Sequence, residues 1–252
     1  MGQDRPVASF EAVADEYDAA RPSYPPGVYD SLGQLDGLRV LDVGAGTGIA
    51  TRQLLARGAS VIAVDPGREV LGRAVARTAG LRAVVADGAA LPVRDGAAEL
   101  VCFAQAWHWL NPSTRVPEVH RILAEGGRWA GWWSHARADG DPWFDTYWSA
   151  IEQACPGTRR GQRDHDWGAT VGDSGHFEVG ERITIPWTRT IAVDDWMTDQ
   201  ASHSYIAALA EPARSRLLDD LRHALTERFS NRDMTVPYET WLWIATKTPR
   251  PA

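Results

Sequence analysis

Three carboxylates, a glycine triplet and a histidine set between two tryptophans are the residues of this sequence best suited to chemistry. Asp42 stands two positions before Gly44, and Gly44, Gly46 and Gly48 alternate with Ala45 and Thr47. Glycines at such a bend accept positive φ and leave the backbone open to a ligand. A helix that begins directly after them turns free amides and its positive dipole end toward the same place. Asp65 lies 21 residues after Gly44 and is followed by Pro66. That interval is about where a βαβ unit presents an acid to a ribose diol, and a carboxylate has two oxygens to accept from two hydroxyls. The alternative role for Asp65 is to cap the helix that follows, with Pro66 at a first helical position. Asp87-Gly88 offers an acceptor for an exocyclic amino group beside an open backbone. Gln105 precedes Trp107, His108 and Trp109. An imidazole titrates near neutrality, so His108 is the candidate general base; between two indoles it also suits fixing a loop or orienting a substrate.

The elements that must position these residues follow from the hydrophobic pattern. The run 39–41 reads as a buried strand that passes through the glycine bend into a helix over 49–55. Strands over 60–64, 82–86 and 99–104 end at Asp65, at Asp87-Gly88 and at Gln105. Four strands that release polar or glycine residues at their C-terminal ends describe the ligand-binding edge of an open parallel sheet. Helices are expected over 68–78 and 116–124, the second stopped by Gly126-Gly127. A fifth strand covers 128–133. The alternation implies a mainly parallel sheet covered on both faces.

The spacing here is D-x-G-x-G-x-G, with Ile49 where a dinucleotide fingerprint places its third glycine. This stretch resembles motif I of the class I S-adenosylmethionine (SAM) dependent methyltransferases. Asp87-Gly88, Leu91-Pro92 and the Gln-x-Trp-His-Trp run at 105–109 also resemble that family, most closely its small-molecule branch often labelled type 11. The segment 17–25 is similar to the family's YDxxRPxYP lead-in. The resemblance implies a Rossmann-like, doubly wound, seven-stranded α/β sheet with an antiparallel last strand. It implies SAM as cofactor, held by Tyr17, Arg21, Asp42, Gly44, Ala45, Gly46, Asp65, Pro66, Asp87, Gly88 and Gln105. Asp42 would meet the cofactor amine, directly or through water; its other role is to brace the glycine loop. Tyr24, Trp107, Trp109 and Trp133 are the residues expected to touch the acceptor, with His108 catalytic.

All 12 tryptophans follow residue 106, which suits an aromatic acceptor pocket or a large aromatic core. The chain of 252 residues is expected to form one domain. Within it, 1–38 would be a helical lead-in, 39–133 the SAM-binding core, 134–176 a lid and 193–235 a helical cap inserted before the last strand. Strands are expected over 181–187 and 238–246, and an amphipathic helix over 211–229. The formal net charge of −7 disfavours a nucleic-acid substrate. Two cysteines without metal spacing argue against a zinc site, so no metal is expected. No apolar run approaches the roughly 18 residues of a membrane helix. A cytoplasmic enzyme acting on a small-molecule acceptor, with a homodimer as candidate assembly, is the expectation. The competing activities are a cyclising or pericyclic reaction on the same cofactor fold and a nicotinamide-dependent oxidoreduction.

Overall fold

Residues 23–160 and 164–249 are described by the structure, a computed structural model. The first part of the expected helical lead-in, 1–22, with Tyr17 and Arg21, lies outside the described residues. The first described elements are α1 (Pro26–Ser31), β1 (Arg39–Val43), α2 (Ile49–Leu55), β2 (Ser60–Asp65), α3 (Arg68–Arg77), β3 (Arg82–Val85) and β4 (Ala98–Ala104). After a 3₁₀ turn over Trp107–Trp109 come α4 (Pro112–Ile122), β5 (Leu123–Ala136), α5 (Pro142–Ala154), α6 (Trp167–Gly172), β6 (Phe177–Val179) and β7 (Ile183–Ala192). The chain continues through α7 (Val193–Ala201), α8 (Ser204–Ala207) and α9 (Ala213–Arg228) to β8 (Asp233–Lys247).

The sheet has the order β3-β2-β1-β4-β5-β8-β6, with β7 also paired to β8. β1 runs parallel to β2 and β4, in registers that set Val40 against Val61 on one side and Leu100 on the other. β2 and β3 are parallel, as are β4 and β5, while β6 is antiparallel to β8. The sheet is therefore mainly parallel, as expected, but has eight strands rather than seven. The additional one, β6, is three residues long and too short to show a period.

The chain divides into two compact units. One comprises Ser23–Ser134, Asp166–Ile185 and the segment from Thr240 onward. Successive strand residues in it feed opposite faces. Leu41, Val43, Val101, Phe103, Trp129 and Trp133 pack in one core cluster; Val40, Leu100, Cys102, Ala130 and Trp132 pack in another with Tyr29, Leu32 and Leu54. Burial on both faces is why these strands read as unbroken apolar runs.

The other unit contains His135–His165 and Pro186–Glu239. Its core joins Phe144, Tyr147, Trp148 and Ile151 of α5 to Trp196 and Met197 of α7 and to Leu217, Leu221 and Leu225 of α9. The three leucines recur every four residues, on one stripe of the helix. Burying each is worth roughly 1.5–3 kcal/mol. Arg189 and Asp199 form a buried ion pair at 3.2 Å, and Tyr238 Oη accepts from the same guanidinium at 3.3 Å.

Candidate active site

The candidate site residues of the described chain lie in the first of these units, most of them at or just past the C-terminal ends of its parallel strands. The glycine bend after β1 is clipped to β2: the amides of Gly44 and Ala45 donate to the Val64 carbonyl at 2.8 and 3.0 Å. Gly44 has φ +75°, and a Cβ there would stand 2.4 Å from the Ala106 methyl. The bend and the turn after β4 are thus in close approach, which only glycine permits. Gly46 has φ +58° and the opposite surroundings, since the nearest atom to a Cβ there would be Val70 Cγ1 at 4.0 Å. Gly44 is fixed by packing, whereas Gly46 leaves space above the bend. Gly88 is buried, and a Cβ on it would meet Leu110 Cδ2 at 2.9 Å and Val43 Cγ1 at 3.0 Å.

Asp65 ends β2 and braces this loop. Its Oδ2 accepts from the Gly46 amide at 3.0 Å and its Oδ1 from the Gly67 amide at 2.8 Å. Each oxygen keeps a second lone pair. The adjacent Pro66 lies outside the first turn of α3, which begins at Arg68 after the cap residue Gly67. Asp87 is exposed at the end of β3, and its Oδ1 accepts from the Ala89 amide at 2.9 Å. The loop after it, which carries Leu91-Pro92, is pinned from α4. Arg121 donates to the Leu91 and Val93 carbonyls at 3.1 and 2.7 Å and pairs with Asp95 and Glu118. Glu118 in turn accepts from the Leu91 amide at 2.6 Å.

Asp42 departs from the expected direct contact with a cofactor. Its side chain is fully buried and turned inward, with Oδ2 accepting from the Thr51 hydroxyl at 2.5 Å. The Cys102 thiol lies 3.8 Å from Oδ1. Burial pushes the Asp42 carboxyl up to about 6, with repulsion from Asp65 adding to the rise and the Thr51 hydrogen bond opposing it. Asp42 therefore braces β1 against α2, rather than the glycine loop that its position suggested.

β4 ends in a backbone kink. Gln105 has φ +56°, uncommon for a residue with a side chain, and its amide donates to the Trp132 carbonyl at 2.9 Å. Its side-chain Nε2 donates to Tyr24 Oη at 3.4 Å. Tyr24 itself is buried edge-on against Trp132, with centroids 5.7 Å apart. The kink delivers Trp107, His108 and Trp109 as a 3₁₀ turn.

The three members of that turn have different fates. Trp107 is wholly buried, edge-on to Phe103 and Trp129 at 4.7 and 5.3 Å. Its expected contact with acceptor is corrected: it is a core residue. Trp109 is 43% exposed. His108 is exposed, and its Nδ1 accepts from the Trp133 indole N–H at 3.2 Å. An indole can only donate, so the neutral imidazole carries its proton on Nε2. The Nδ1 lone pair is thereby occupied by the indole. Trp133 is nearly buried and stacks on Trp167 of α6, with centroids 5.2 Å apart and planes 16° from parallel. Trp167 also lies 5.9 Å from His108. Sequence reading missed Trp167, although Asp166 ahead of it was a visible helix-cap signal: Asp166 Oδ1 accepts from the Ala169 amide at 3.0 Å.

Among the described residues no three metal-ligating side chains cluster, and no helix is long and apolar enough to cross a membrane.

A family model described as a methyltransferase domain matches residues 41–130, from β1 through the start of β5. An uncharacterized methyltransferase of Mycobacterium tuberculosis is 30% identical over 247 residues, covering 92% of this chain and 93% of the relative. The chain is a class I SAM-dependent methyltransferase. This membership removes the nicotinamide-dependent alternative. The methyltransferase shares its fold with a candidate type II methyltransferase from Anaeromyxobacter dehalogenans, at a TM-score of 0.68 and 21% identity over 90% of this chain and 97% of that one. It also shares it with the [4+2]-cyclase SpnF, at a TM-score of 0.56 and 16% identity over 95% and 94% of the two chains.

Proposed function

We propose that this methyltransferase moves the sulfonium methyl of SAM to an oxygen or nitrogen of a small-molecule acceptor by in-line displacement. One observation carries the placement of the site. The adjacent strands β3, β2, β1 and β4 present, in that spatial order, Asp87-Gly88, Asp65, the glycine bend and Gln105. The connections reverse direction between β1 and β4, and such a switch point is where open α/β sheets bind ligands.

The residues present fit the cofactor. The space above Gly46 admits a ligand beside the bend. In this reading Gly44, Ala45 and Gly46 line the methionine and ribose side, and Asp65 accepts from the ribose hydroxyls with its remaining lone pairs. Asp87 and Gly88 take the adenine edge, with Gln105 beside the sulfonium. Pro66 fixes the chain after Asp65. Bound SAM supplies an electrophilic methyl on a leaving thioether. Asp42 contributes by holding β1 against α2, and Tyr24 by holding Gln105. Displacement at a methyl carbon needs chiefly alignment and exclusion of water. Trp109 and the Trp133–Trp167 stack provide apolar surface on the acceptor side, and His108 orients the acceptor through its Nε2–H. An acceptor that arrives as an anion or a neutral amine needs no base, which agrees with the occupied His108 lone pair.

Calorimetry with SAM, its demethylated product and NAD tests the cofactor, and a mass-shift screen of metabolites with methyl-labelled SAM tests the reaction. The reading expects micromolar binding of SAM and product, and a labelled methyl on a heteroatom of one small molecule. SAM that binds and reappears chemically unchanged, with an isomerised co-substrate, would replace transfer by cyclisation.

A further inference from the structure

α4 carries a cation that the cofactor site does not use. Arg115 is 6% exposed, and its Nη1 donates to the Trp107 carbonyl at 3.1 Å. Its guanidinium carbon lies 4.7 Å from the ring centroid of Trp107 and 5.7 Å from that of Trp167. Among the described residues no carboxylate lies within ion-pair distance of it, and its Nε is buried without a partner. Burial alone pulls its pKa below the ordinary arginine value. A guanidinium stays charged in proteins, and a buried charge left unpaired is costly.

Its surroundings say what would pair with it. The two indole faces engage the guanidinium plane, and Nη1 is committed to backbone. The remaining edge, Nε with Nη2, is the one that takes a planar two-oxygen acceptor side-on. Trp167 ties this edge to the acceptor side, because the same ring stacks on Trp133 and lies 5.9 Å from His108.

We infer that Arg115 is an anion-recognition residue of the acceptor site, and that the acceptor of this methyltransferase carries a carboxylate. The inference rests on reading the 107–109 turn as the acceptor side. Arg115 supplies the charge and the fork, Trp107 and Trp167 hold the fork flat, and the ligand supplies the missing anion. A carboxylate held in this way is ionised at neutral pH and requires no base. The inference thereby accounts for a site whose histidine is fixed as a donor.

The test uses matched probes on the full chain with saturating demethylated cofactor: benzoate against benzamide, cinnamate against cinnamamide, and indole-3-acetate against indole-3-acetamide. The wild type is expected to bind at least one acid about tenfold or more tightly than its amide, the scale of a charge-assisted hydrogen bond. Arg115→Gln is expected to erase that preference, lowering acid affinity about tenfold to a hundredfold and leaving the amide and the cofactor product unchanged. Arg115→Lys is expected to keep part of it. A wild type that binds no acid better than its amide overturns the inference, as does an Arg115→Gln enzyme that retains the preference. If Arg115→Gln fails to fold, the wild-type acid-to-amide ratio and Arg115→Lys decide. Failure of the wild type to bind the cofactor product would instead remove the methyl-transfer reading.

Discussion

Replacing Asp42 with asparagine should stabilise the enzyme above neutral pH and do little in acid. The side chain is fully buried, and its carboxyl is pushed from an ordinary 3.8 up to about 6, chiefly by burial. The native state therefore binds this proton more tightly than the unfolded chain does. Stability from this group is fully present below pH 3.8, falls as pH rises through the window to about 6, and stays low beyond it. A displacement of that size corresponds to about 3 kcal/mol at 1.36 kcal/mol per unit. Asparagine has nearly the same shape, keeps an oxygen for the Thr51 hydroxyl and cannot ionise. Urea unfolding of both proteins, followed by tryptophan fluorescence, should give a gain of about 2–3 kcal/mol for Asp42→Asn at pH 8, about 1 kcal/mol at pH 4.5 and near zero at pH 3. The difference between variants cancels the other titrating groups. Because Asp42 is turned inward, the same substitution should change SAM affinity less than about threefold. A variant that is less stable than wild type at pH 8, or shifted equally at all of these pH values, would refute the argument. It would mean that the carboxylate charge is stabilised where it sits.

Gly44→Ala sets a methyl 2.4 Å from the Ala106 Cβ on a φ of +75°. It should cost about 2–4 kcal/mol through overpacking and left-handed strain, seen as a large drop in melting temperature, whereas Gly46→Ala should fold better yet bind SAM poorly. His108→Phe removes the Nε2 donor without removing a base. On the acceptor that the labelled-methyl screen identifies, it should lower kcat/KM by less than about a hundredfold. The wild-type kcat should then show no rising limb through the imidazole range; a unit-slope limb that His108→Phe abolishes would restore the base. Glu118, whose carboxyl is lowered mainly by its hydrogen bond from Arg121, contributes stability above the ordinary glutamate range that is lost as pH falls. Glu118→Gln should therefore destabilise the 89–98 loop at pH 7, measured as faster amide exchange there, and not at pH 3.

The half of the sheet that positions the site was legible because burial on both faces writes strands as plain apolar runs. β1, β2, β3 and β4 begin or end within one or two residues of their expected bounds, and each releases its site residue where expected. Helix α4 was less legible. Pro112 and Pro117 look like breakers, yet Pro112 occupies the first turn, behind Asn111 as a cap for the Ser113 amide, and Pro117 lies inside the helix. The segment around 158–173 reads as polar and irregular, but Asp166 starts α6 within it and brings Trp167 to the aromatic stack. The roles of Asp42, Trp107, His108 and Arg115 depend on which neighbour each meets across the fold, and no local pattern encodes that. Asp42 meets Thr51 nine residues on, and His108 meets Trp133 across the sheet edge.

The claim on which the account turns is that Asp65 at the end of β2 accepts from the cofactor ribose. Calorimetric affinity of the demethylated product and of its 2′-deoxy analogue, for wild type and Asp65→Ala, measures this as a cycle. The account expects Asp65→Ala to weaken the full nucleoside by about 2–4 kcal/mol and the deoxy analogue by clearly less. Equal losses for both compounds would mean that Asp65 only braces the Gly46 and Gly67 amides. No loss for either would mean that the ligand binds elsewhere.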